Sequence, residues 1–266
     1  MEQLETTKSG TERHALEQLR IQEFLDTPYG RLAQRKLLVE GKVYVPLFHS
    51  DADGKTKSKT MRKCVKKLVE DRNGAVKRDW LLRTFSRIKS QHRYMVPPAQ
   101  LGGDFLSLAA EMGNTMRMIL RALDASGYDR ILVEESKCLI SLEIRDQTLH
   151  SDQHLRKILD QLSGKEGAAT RRNQRGIPPP YSALCSFSDD TSLLCVDSSH
   201  LGERRDYKKE EAVRCPLPLG WGLLWHGLFV HAGSECCLPW HARLHMYLRI
   251  HGGPEAATRE IDLAEA

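Results

Sequence analysis

The chain has 266 residues, 40% of them apolar and 6% aromatic, enough for one large domain or two modest ones. Its seven cysteines are odd in number and lack framework spacing, and its first 27 residues hold no apolar targeting run, so we expect a reduced, intracellular protein of cytoplasm or nucleus. No stretch approaches the roughly 18 apolar residues of a membrane helix, and no membrane span is expected.

The net charge of +5 is unevenly placed. Between Lys55 and Arg93 there are 14 Lys and Arg against Glu70, Asp71 and Asp79, so 14 − 3 = +11 there, and the remainder is net acidic. Such a segment fits an anionic partner such as nucleic acid. It equally fits a solvated helical face, since no aromatic residues interleave its lysine-rich part.

In chain order, residues 16–38 read as a helix broken around Pro28-Tyr29-Gly30, and Lys42 to Phe48 as a strand closed by a turn-rich cluster from His49 to Gly54. A basic helix is expected over Thr60 to Asp71, and a second over Trp80 to Ile88. Pro97-Pro98 and Gly102-Gly103 mark a soft boundary. After it Phe105, Leu108, Met112, Met116, Ile119, Leu120 and Leu123 form an apolar helical stripe, with Asp104 as its cap and Gly127 as its stop.

From Ile131 the period changes. Short strands are expected over 131–133, 138–144, 181–187, 191–196, 212–217, 223–230 and 243–250. Residues 163–180 read as a long polar loop. The run Leu223 to Val230 reads as one strand ending in a turn at His231-Ala232-Gly233. The last strand alternates strictly: Arg243, His245, Tyr247 and Arg249 on one side, Leu244, Met246, Leu248 and Ile250 on the other. An apolar outer face under helices and a polar inner face describe a barrel able to hold a metal and an anion.

His150 and Asp152 place an imidazole and a carboxylate on one side of an extended chain. With one distant histidine, His231, they compose a 2-His-1-carboxylate set. His49 and Asp51 repeat the spacing, but in a turn-rich setting. His226 lies five residues before His231 and should face the other way on a continuous strand. A zinc reading from Cys236, Cys237, His231, His241 and His245 is weak: there is no CxxC pair, and His241 and His245 would need a helix where the alternation says strand. No GxSxG, P-loop or GxGxxG occurs.

Residues 104–251 resemble the Fe(II)/2-oxoglutarate-dependent dioxygenases, nearest the phytanoyl-CoA-hydroxylase-like group. The carriers are Gln147 to Asp152, Pro180 to Phe187, Leu194 to His200, Pro218 to Gly233 and Arg243 to Leu248. The resemblance implies an α+β, mainly β fold: a double-stranded β-helix (jelly-roll) core over 101–252 flanked by helices, a helical basic N-terminal region over 1–100, and a flexible tail over 253–266. It implies His150, Asp152 and His231 as iron ligands and Arg243 as partner of the cosubstrate's far carboxylate, with Arg249 as rival. The implied activity is an Fe(II)- and 2-oxoglutarate-dependent oxygenase, consuming O2 to hydroxylate or demethylate a substrate with release of succinate and CO2. Many members carry Ser or Thr two residues after the arginine, where this chain has His245. The alternative is a catalytically inactive barrel binding an anionic partner, such as nucleic acid, through residues 55–93.

Overall fold

The computed structural model describes residues 26–48, 50–88, 93–123, 131–142, 147–152, 181–188, 191–201, 206–235 and 238–250. His49, Gly127, the loop 163–180, Cys236, Cys237 and the tail 253–266 lie outside the described residues.

Helix α1 spans Pro28–Val39. Pro28 stands in its first turn, where a missing N–H costs nothing, and the Thr27 hydroxyl accepts from Gly30 N at 2.9 Å. Strand β1 is Lys42–Pro46. Helix α2, Asp51–Val69, is longer than the expected basic helix. The cluster from Ser50 to Gly54 that reads as a turn is a cap and first helical turn instead, because the Ser50 side chain accepts from Asp53 N. Helix α3, Arg78–Thr84, stops earlier than expected, and Ser86–Ile88 form strand β2. Strand β3 is Arg93–Val96 and helix α4 is Gly103–Leu123. The later strands are β4 (Ile131–Ser141), β5 (Tyr181–Ser186), β6 (Ser192–Cys195), β7 (Val213–Pro216), β8 (Trp221–His226), β9 (His231–Gly233) and β10 (His241–Ile250). The expected run 131–133 and the described start of the expected run 138–144 thus lie on one continuous strand, which ends at Ser141.

Among the described residues all strand pairs are antiparallel and fall into two sheets. The larger runs β1-β8-β5-β10-β4-β3-β2, and the smaller β7-β6-β9. Three strands from before residue 101 therefore lie in one sheet with four from after it. No helix among the described residues is long and apolar enough to cross a membrane.

Strand alternation separates two apolar clusters. Leu244, Met246 and Leu248 of β10 join Cys138 and Ile140 of β4, Ala183 and Cys185 of β5 and the stripe Phe105, Met112, Met116 and Leu120 of α4. This is the helix-covered outer face. Leu184, Leu193, Cys195, Cys215, Leu223, Trp225 and Phe229 form a second cluster joining residues of both sheets. Full burial of side chains such as Phe105 or Met116 stabilises by about 1.5–3 kcal/mol each.

The entry to β8 depends on a close approach of backbones. Gly220 has φ +77°, donates to Ser186 O at 3.1 Å and accepts from Leu47 N at 3.1 Å. A Cβ there would stand 2.7 Å from Gly54 Cα in the first turn of α2. We predict that Gly220→Ala lowers stability by about 1–3 kcal/mol, from left-handed strain and backbone collision. Urea unfolding measures this, and an unchanged midpoint would contradict it.

Candidate metal centre

Residues 147–150 run antiparallel beside β9 and lengthen the small sheet. Gln147 N donates to Gly233 O at 2.8 Å, and His150 and His231 exchange both backbone hydrogen bonds at 2.9 Å. Directly opposed residues share a face, so their rings meet with centroids 4.7 Å apart. Asp152 follows two residues later, and His231 Nε2 lies 3.9 Å from its Oδ1. One ligand atom from each of His150, Asp152 and His231 lies within 4.8 Å of the others, the one such group among the described residues.

Each ring is oriented by its backbone. His150 Nδ1 lies 2.9 Å from Thr148 O, and His231 Nδ1 3.2 Å from Phe229 O. A carbonyl only accepts, so both imidazoles carry a proton on Nδ1, which leaves Nε2 as the nitrogen able to serve a metal. That tautomer suits a metal ligand. Two imidazole nitrogens and one carboxylate suit iron(II) and leave one face of the ion open.

Asp152 is 4% exposed at its side chain and well held. Trp225 Nε1 donates to its Oδ2 at 3.0 Å, and Ser182 hydrogen-bonds it as well. His245 Nε2 stands 4.0 Å from the same Oδ2. Burial alone would raise the Asp152 carboxyl. The surrounding His231, His245 and His150, with the Ser182 hydrogen bond, outweigh this and hold it below its ordinary value.

Arg243 is 4% exposed and lies at the inner face of β10, at one end of the site. Arg93 of β3 is its neighbour there, 5% exposed. Both guanidiniums reach the same point beside Gly233: a Cβ on that glycine would overlap Arg93 Nη2, stand 2.6 Å from Arg243 Nη2 and 2.5 Å from Gln147 Oε1. Arg93 is absent from the candidates the sequence offers. It sits in the basic segment, where a cation reads as solvated.

Several other cations of that segment are engaged locally. Lys57 pairs with Asp53 at 3.1 Å and Glu111 at 2.5 Å, Lys66 with Glu70 at 3.6 Å, and Arg62 covers the Trp240 ring.

One expectation changes. His231 opens a strand instead of ending one at a turn: β8 stops at His226, and the chain crosses to the small sheet before β9 begins. His226 belongs to a separate group, against Tyr181 and His200 with centroids 5.8 and 5.1 Å away. The zinc alternative loses its geometry, because His241 and His245 lie on a strand and His241 bonds Thr191 Oγ1 at 2.9 Å. Arg249 sits six residues past Arg243 on β10, opposite Leu132.

No protein-family model and no curated protein matches the chain. Solved structures do. The non-heme alpha-ketoglutarate-dependent epimerase SnoN from nogalamycin biosynthesis superposes with a TM-score of 0.52 at 15% identity, over 83% of this chain and 80% of that one. EctD from S. alaskensis, solved with 2-oxoglutarate and 5-hydroxyectoine, gives 0.54 at 13% identity, over 85% and 77%. AviO1 from Streptomyces viridochromogenes Tue57 gives 0.57 at 10% identity, over 86% and 99%. The mainly β, antiparallel architecture thus shares the fold of these solved structures.

The buried imidazoles generate a pH prediction. His226, His231 and His241 are pushed down to about 3 and His245 to about 4, each mainly by burial. Unfolded, each takes up a proton near 6.5; folded, each resists until far lower. Stability is therefore full above about pH 7 and falls from about 6.5 toward 4, by at most about 1.4 kcal/mol per pH unit for each histidine. Asp152, with its lowered value, contributes fully above the ordinary carboxylate range and loses that contribution as the pH falls through that range to its folded value. Melting of the metal-free protein across pH 7.5 to 4.5 checks this, and a flat Tm would contradict it.

Proposed function

We propose that this chain, built on the fold of the non-heme 2-oxoglutarate-dependent enzymes, is an Fe(II)- and 2-oxoglutarate-dependent oxygenase. The observation that carries the reading is the convergence of His150, Asp152 and His231 in the same interior as two buried guanidiniums. His150 and His231 would hold iron(II) through Nε2, the nitrogen not engaged by a carbonyl, and Asp152 would supply the anionic oxygen. When bound, iron(II) with 2-oxoglutarate and O2 supplies the oxidation of a substrate C–H bond, with succinate and CO2 as coproducts.

The chain's own residues bind, orient and exclude water. Arg243 grips the cosubstrate's far carboxylate, since a planar guanidinium offers two parallel N–H bonds to two oxygens. Arg93 adds a second cation at the same place. The missing side chain of Gly233 leaves room for the two guanidiniums themselves to approach the backbone there. Trp225, Phe229 and Leu184 are all nearly inaccessible and keep the neighbouring interior dry, which strengthens each charge interaction within it.

Anaerobic titration of the metal-free protein with Fe(II) and then 2-oxoglutarate tests the reading. We expect a visible charge-transfer band, abolished in His231→Ala. In Arg243→Ala the 2-oxoglutarate affinity should weaken at least about tenfold, the loss of a charge-assisted pair. A folded protein with no band would instead support a barrel that binds without catalysis. A Gly233→Ala variant should lose 2-oxoglutarate affinity while retaining Fe(II), because its methyl group intrudes on the guanidiniums and not on the three ligands. Calorimetric titration with each in turn separates the two, and unchanged 2-oxoglutarate binding would refute the placement.

A further inference from the structure

The indole of Trp225 is 1% exposed, on β8, between edge strand β1 and β5 of the large sheet. A buried tryptophan needs an acceptor for its N–H. Here the acceptor is Oδ2 of Asp152, at 3.0 Å. Ser182, the cross-strand neighbour of Trp225 in the β5–β8 register, is also 1% exposed and hydrogen-bonds the same carboxylate. Two donors from adjacent strands thus act on one anion.

Their placement differs from that of Asp152. Trp225 and Ser182 lie on strands with a hydrogen-bonded neighbour on each side. Asp152 lies outside every strand, two residues past the last bridge to β9. A carboxylate on irregular chain turns about its own bonds, and bonds to a rigid sheet stop it turning. Because Oδ2 is taken by the indole, Oδ1 is the oxygen that faces His231.

From this arrangement we infer that Trp225, assisted by Ser182, is a positioning residue: its N–H holds Oδ2 of Asp152 away from the metal, so that Asp152 binds through Oδ1 alone. The inference rests on the metal-centre reading above. A carboxylate free to chelate with both oxygens would occupy a further position on the ion, one that cosubstrate and O2 require. Hydrogen bonds to a ligand's far atom typically carry 10–100-fold in metal affinity.

The experiment uses the full chain and Co(II) alone as probe. Affinity is read by calorimetry, and coordination by the visible ligand-field spectrum. Trp225→Phe keeps the ring and loses the N–H. We expect about tenfold or weaker Co(II) binding and an altered spectrum, with native circular dichroism. In an Asp152→Ala background the same change should have no further effect on Co(II) affinity, because Trp225 acts through that carboxylate. Binding within about twofold of the parent, with an unchanged spectrum, overturns the inference. An equal loss in both backgrounds overturns it too, since it marks a general packing defect. Should Trp225→Phe not fold, Ser182→Ala tests the same carboxylate with the loss of one oxygen, and parent-like Co(II) binding there overturns the shared role. A parent that binds no Co(II) removes the metal-centre reading itself, an outcome distinct from a parent that binds beside an unaffected variant.

Discussion

The short ladder between residues 147–150 and β9 is the constraint on which the site depends. Two reciprocal backbone hydrogen bonds set His150 opposite His231, across 81 positions of sequence. That register decides that the two imidazoles share a face. A slip by one residue would turn one of them to the other side. It also places Asp152 where Trp225 and Ser182 can reach it. The candidate ligands come from the small sheet and its extension, and the groups that hold and surround them come from the large one.

Burial of so many polar groups is tolerable because each is in a state that suits its surroundings. His231, His241 and His245 are neutral, since burial disfavours their charged form. Asp152 is anionic but receives hydrogen bonds from two side chains. Arg93 and Arg243 remain cationic, as arginine does everywhere in proteins. They raise the cost of protonating His241, which is pressed down by burial and by Arg243, Arg93 and Arg62. The interior is therefore divided into an anionic end at Asp152 and a cationic end beside Gly233. A ligand that meets a metal with one end and two guanidiniums with the other matches this polarity.

Much of this was legible from residue order, and the failures have physical causes. Strand β10 was readable because Arg243 to Ile250 alternates between extremes of polarity. The apolar stripe of α4 was readable for the same reason at a different period. The break between β8 and β9 was hidden, because Phe229 stays buried while the chain crosses between sheets, so the apolar run continues through the crossing. Strand β2 was hidden by its place among basic residues just after a helix. Arg93 was hidden because charge density carries no sign of burial. Trp225 lay within the run Leu223 to Val230 that reads as one strand, with nothing to single it out. Its role lies in one N–H, and what that N–H meets depends on a carboxylate 73 residues away. Whether the basic segment meets an anionic partner was open from sequence, and the local pairing of Lys57, Lys66 and Arg62 accounts for part of its charge.

The position of β1 at the edge of the large sheet bears on how the chain assembles. Lys42 pairs with Trp225, so the strand that steadies β8 is synthesised long before β8 exists. Closing a loop of that length costs entropy before any contact repays it. Pairings so distant in sequence slow folding and leave the early strand with an unmatched edge meanwhile. On a ribosome, β1 would wait for nearly the whole chain to emerge. The hydrogen bonds flanking the tryptophan that orients Asp152 would then be among the late ones, so the candidate metal centre would acquire its geometry late in folding.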